Sequence, residues 1–143
     1  MLYKKLEKVK NVVNAKTVEE FDFWLATIPI SIQNNITISL VAKRLNAKIT
    51  EAKALLEYAE KEKILESHYI VVCPNDKCKA VINNNVSLPE LHDIIGEKKY
   101  CHICKKENIV APNNIFISYK RIKRPDVPDQ DIQKAIEKHI KKL

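Results

Sequence analysis

Four of the 143 residues are cysteines, set in two pairs, CPNDKC (Cys73 to Cys78) and CHIC (Cys101 to Cys104), with 22 residues between them. Loops of the form C-x2–4-C bring two sulfurs to one ion, and Zn²⁺ favours a tetrahedron of such soft ligands. The spacing predicts one structural zinc ion held by Cys73, Cys78, Cys101 and Cys104. Pro74 would tighten the first turn by fixing φ. Lys77, Lys79, Lys105 and Lys106 would offset the charge of about −2 that a four-thiolate zinc site carries. The first loop is two residues longer than C-x2-C, which leaves room for His102 or His68 in place of a sulfur. A disulfide pair and four buried free thiols are the other readings of the same residues. Four thiolates would close the coordination sphere, whereas catalytic zinc keeps a position open, so the expected role is structural.

Other chemistry is hard to find. One glycine in the whole chain, Gly96, excludes P-loops, Rossmann fingerprints and nucleophile elbows. His68, His92 and His139 are isolated from one another, and the paired acids Glu19 and Glu20 fit a helix start. The expectation is a chain that is not an enzyme. No apolar run approaches the ~18 residues that span a bilayer, and MLYKKLEKVKNVV lacks a signal-peptide core. The reading is therefore a cytoplasmic chain with no membrane partner, in a compartment where thiols stay reduced and metal is favoured over disulfides.

The elements that would position the cysteines follow from periodicity and caps. Leu2, Leu6, Val9 and Val13 share a helical face. Thr17 and Glu20 read as a capping box for a helix that stops before Pro29, with Phe21, Trp24, Leu25 and Ile28 as its core side. Thr37 or Ser39 caps a helix carrying Leu40, Val41 and Leu45, and Asn46 suits the left-handed turn that follows. Thr50 caps another helix ending near Lys63, and Tyr69 to Val72 reads as a strand. KAVI is a short strand and the three asparagines a turn. Ser87 and Glu90 box a helix with Pro89 in its first turn, ended by Gly96, with Leu88, Leu91, Ile94 and Ile95 set against the helices before it. NIV and IFISYKRI are strands joined by APNN. RPDVPDQ is a linker, and Asp129 caps a last helix with Ile132, Ala135, Ile136 and Ile140 on one side.

SLVAKRLN, ITEAKALLEYAEKEKIL and YIVV together resemble a winged helix-turn-helix, with Lys63 standing where that pattern usually has glycine. Followed by two cysteine pairs, the order resembles, at the level of modules, the alpha subunit of general transcription factor E. The resemblance implies an α+β chain in three parts: a winged-helix-like domain with an N-terminal helix over 1–72, a zinc-ribbon-like lobe with an inserted helix over 73–124, and a linker with a helix over 125–143. It also implies a DNA-associated accessory or regulatory role.

Charge supplies two competing partners. The net +7 comes from 22 lysines and three arginines against 18 acids, and residues 97–125 alone carry +6. Abundant Ile and Asn beside the Lys suggest AT-rich codons, so part of this charge reflects composition. A recognition helix that enters a DNA groove needs basic or amide side chains. Residues 50–62 instead hold Glu51, Glu57, Glu60 and Glu62 against Lys53 and Lys61, a balance that repels phosphate. DNA contact is therefore expected at Lys43, Arg44 and Lys48, or at Lys120, Arg121, Lys123 and Arg124 in YKRIKR. The alternative is a protein–protein adaptor of a multi-component prokaryotic assembly, docking through Glu51, Glu57, Tyr58 and Glu60. The N-terminal or C-terminal helix offers a seam for a homodimer.

Overall fold

A computed structural model of the chain describes residues 1–75 and 77–141. It is a mixed α+β structure. In chain order come a 3-10 segment Lys4–Asn11, helices α1 (Ala15–Ala26), α2 (Ile38–Leu45) and α3 (Ile49–Lys61), strands β1 (Leu65–Val72) and β2 (Val81–Val86), helix α4 (Leu88–Ile94), strands β3 (Lys98–Cys101) and β4 (Lys106–Ile109), a 3-10 turn Pro112–Asn114, strand β5 (Ile115–Arg121) and helix α5 (Asp129–Lys141). The strands lie in two sheets, ordered β2-β1-β5 and β3-β4. No helix is long and apolar enough to cross a membrane among the described residues.

Two compact units result, one of residues 1–66 with 119–143, the other of residues 67–118. The sequence reading divided the chain at 72 and 124, whereas contacts group Tyr119 onward with the N-terminal helices.

In the first unit, apolar side chains from α1, α2 and α3 close a core that includes Phe21, Leu25, Val41, Leu55 and Leu56. Burying each is worth about 1.5–3 kcal/mol. Tyr3, directly before the 3-10 segment, and Leu6 within it are both fully buried. The segment is a 3-10 and not an α-helix, and it is fastened by a buried carboxylate. Asp22 accepts from the Leu2 amide at 2.9 Å and the Tyr3 amide at 2.7 Å. Burial, opposed by those two N–H groups, holds the Asp22 carboxyl above the usual aspartate range. The Tyr3 hydroxyl donates to the Lys123 carbonyl at 2.8 Å, and burial pushes its pKa up to about 12. Ile36 and Tyr119 exchange two backbone hydrogen bonds of 2.8 Å as an isolated bridge.

Helix ends follow the expected caps in part. Thr37 Oγ accepts from the Leu40 amide, and Asn46 ends α2 at φ 51°, ψ 45°. Two other starts differ. Asn14, not Thr17, caps α1 by accepting from the Lys16 amide. The chain enters α3 at Lys48, not Thr50, with the Glu51 carboxylate accepting from the Lys48 amide at 3.2 Å. After α3, Lys63 adopts φ 59°, and the Ile64 amide reaches back to the Ala59 carbonyl at 2.9 Å while Lys63 bonds Glu60. That is a Schellman closure with lysine at the position glycine usually takes. Asp129 is the first residue of α5, so it lies within the first turn and does not cap it.

In the second unit, β1 and β2 pair antiparallel with two register shifts. β2 runs through Asn83, Asn84 and Asn85, which the sequence reading made a turn. Asn85, at φ 53°, supplies the left-handed residue that a bulge needs. Ser87 Oγ accepts from the Glu90 amide to start α4, and Gly96 follows its end at φ 89°. Of the apolar face expected on α4, Leu91 is buried while Leu88 and Ile95 are exposed. Leu91 packs with Val71, Val86 and Val110 inside its own unit.

Candidate metal centre and binding surfaces

Each cysteine pair lies at the turn between two antiparallel strands: Cys73 and Cys78 fall between β1 and β2, while Cys101 is the last residue of β3 and Cys104 lies in the turn to β4. The turns share a device. The Lys79 amide donates to the Asn75 carbonyl at 3.1 Å, and the Lys105 amide to the Cys101 carbonyl at 2.8 Å. Both lysines, each directly after the second cysteine of its pair, sit in the left-handed region, at φ 49° and 59°. Asn75 thus occupies the turn position that Cys101 fills in the second loop, and Cys73 reaches in from two residues earlier. This accounts for the longer first spacing.

The four sulfurs lie within 4.8 Å of one another. Cys73 and Cys104 are 3.6 Å apart, as are Cys78 and Cys101, so the shortest approaches cross between the two loops. A tetrahedron with metal–sulfur bonds of about 2.3 Å has edges of about 3.8 Å. The cluster therefore has the size a tetrahedral ion requires, and 3.6 Å is far from the ~2.05 Å of a disulfide. The group contains the four cysteines alone among the described residues. His68 is buried along β1, and His102 is exposed with its ring edge-on to Tyr100 at 5.0 Å.

Backbone N–H groups aim at the sulfurs. The Cys104 amide, opposed by burial and helped by the Ile103 amide, holds Cys101 down at about 7. At Cys73 the Asn75 amide favours thiolate, but burial and the three neighbouring thiols outweigh it and push that group up to about 12. A cation binds thiolates, so its capture by the four sulfurs would displace their protons. Asn108 Nδ2 lies 3.7 Å from Cys73 Sγ as a further donor. Sequence reasoning missed Asn108; its one signal is a polar residue in the strand that follows CHIC.

The expected binding residues separate into exposed and engaged groups. Lys43, Arg44 and Lys48 are exposed on α2 and the turn after it. In YKRIKR two of the four charges, Arg121 and Lys123, are held by close partners. The Arg121 guanidinium donates to the Leu25 and Ala26 carbonyls at 3.1 and 3.4 Å, neutralising the C-terminal end of α1. Lys123 pairs with Asp126 at 3.0 Å and Arg124 with Asp129 at 3.5 Å, while Lys120 is half-buried. On α3 the Tyr58 hydroxyl donates to the Lys5 carbonyl at 3.1 Å, and Glu62 meets Lys5 at 3.7 Å. Glu57 pairs with Lys53 at 3.9 Å, and Glu60 is half-buried. No protein-family model, curated protein or solved structure matches the chain.

Proposed function

We propose that the chain is a non-enzymatic binding module in which one Zn²⁺ ion is held by Cys73, Cys78, Cys101 and Cys104, and that it acts as a DNA-associated accessory or regulatory factor. The observation that carries this reading is the four-sulfur cluster, of tetrahedral size and with every ligand position taken by protein. Such a site staples loops and leaves no place for substrate. Three helices followed by β1 support a winged helix-turn-helix, and two cysteine loops on antiparallel turns support a zinc-ribbon-like lobe. On this reading the order of modules is that of the transcription factor E alpha subunit.

The phosphate-facing group is Lys43, Arg44 and Lys48, which are exposed on α2 and the turn after it, whereas the Arg121 guanidinium is held by the α1 carbonyls and Lys123 by Asp126. α3 brings acids and a tethered tyrosine, so the expected binding is to backbone phosphates without base readout.

The test titrates zinc-loaded protein against fluorescent random duplex and single-stranded DNA at low and moderate salt, beside a Lys43→Ala/Arg44→Ala/Lys48→Ala variant. Binding should weaken log-linearly with salt, and the variant should lose a slope of about 2–3. Absence of binding at low salt overturns the reading. It would favour the adaptor, in which the acidic surface of α3 around Glu51, Glu57 and Glu60 docks a basic protein.

A further inference from the structure

One face of the β3–β4 hairpin turns toward the sulfurs. In its ladder Cys101 stands opposite Lys106 and Lys99 opposite Asn108, and residues two apart along a strand share a face. On that face Cys101 is buried and Lys99 and Asn108 are half-buried, whereas Lys98, Tyr100, Glu107 and Ile109 on the other are exposed. The Asn108 amide has two N–H donors and no net charge. Its Nδ2 lies 3.7 Å from Cys73 Sγ and 3.2 Å from the Lys106 carbonyl. Lys106 is the rung partner of Cys101, so this one side chain fastens the second cysteine loop to a sulfur of the first.

The backbone donors act within a loop. The Asn75 amide reaches Cys73, the Ala80 amide reaches Cys78, and the Ile103 and Cys104 amides reach Cys101. Each fixes a sulfur relative to its own turn, not one turn relative to the other. We propose that Asn108 is a positioning residue of the metal centre, holding Cys73 Sγ in the tetrahedron by an N–H···S bond that crosses between the loops. The inference rests on the reading of the four cysteines as a metal site. A hydrogen bond to a thiolate is charge-assisted, so this one strengthens once the metal has displaced the sulfur's proton. Outer partners of this kind orient the ligands and tune affinity for the ion.

The test compares the zinc affinity of the full chain with that of Asn108→Leu, which keeps the side-chain size and lacks the donor, by competition with a chromophoric chelator. The variant should raise the zinc dissociation constant about tenfold, while Glu107→Gln, on the exposed face, should leave it unchanged. Circular dichroism reports whether the zinc-loaded variants keep their fold. A second measurement needs the wild type alone. With an NMR-active cadmium isotope in the four-sulfur site, scalar coupling should appear between the metal and an Asn108 side-chain proton, as between the metal and the Ile103 or Cys104 amide proton. An asparagine that merely supports the hairpin would give no such coupling. Unchanged zinc affinity in Asn108→Leu, or coupling at the loop amides without any at Asn108, would overturn the proposal and leave the metal site standing. A wild type that takes up neither ion would overturn both.

Discussion

Lysine fills a left-handed backbone position at three turns, Lys63, Lys79 and Lys105. A side chain with a Cβ there costs on the order of 1 kcal/mol relative to glycine. Lys63 is exposed, so its replacement by glycine disturbs little packing. Lys63→Gly should raise the unfolding midpoint by about 3 °C, checked by thermal denaturation. At Asp22 the folded carboxyl has a raised pKa, so in a window starting near the unfolded value of about 3.9 the folded state binds more protons than the unfolded state. Stability contributed by this group is present below that window and falls as pH rises through it. Urea unfolding of Asp22→Asn, which lacks the titration, should show a flatter pH profile than the wild type across the same interval. A steeper decline in the variant would contradict the assignment.

Among the elements, α1 offers a test of which residue starts a helix. Asn14→Ala removes the oxygen that accepts from the Lys16 amide and should cost about 1 kcal/mol, while Thr17→Ala should be nearly neutral, as measured by chemical denaturation. Thr17 carried the stronger pattern in the sequence because Glu20 lies three residues on, yet the first turn forms earlier. Caps were legible where one residue type had no rival, Asn46 after α2 and Ser87 and Gly96 around α4, whereas the start of α2 was open between Thr37 and Ser39 and falls to Thr37. The cysteine cluster was legible because ligand spacing is a local property. Long-range commitments were not. Arg121 reads as a phosphate contact in YKRIKR, but its partners, the Leu25 and Ala26 carbonyls, lie some 95 residues away. The asparagine run read as a turn because Asn suits left-handed backbone; in the fold only Asn85 of the three uses that property, inside a bulged strand.

For the molecule as a whole, the two units have unequal means of support. The second unit gathers Val71, Val86, Leu91 and Val110 into a small cluster, and a core of that size relies on a cross-link. The first owns the larger set of buried side chains. Removing metal with a chelator should therefore strip amide protection from residues 67–118 while leaving most protection in α1, α2 and α3. Hydrogen exchange followed by NMR reads this directly, and uniform loss in both units would refute it. Cys101→Ser should reproduce the chelator's pattern.

The nesting of residues 67–118 within a unit built from 1–66 and 119–143 sets an order for synthesis. A nascent chain that has emerged as far as Ser118 already holds every residue of the inner unit, all four sulfurs included. Ile36 still lacks Tyr119, and the end of α1 still lacks the Arg121 guanidinium. The part translated first is thus the part completed last, and the four sulfurs can gather before the N-terminal core closes.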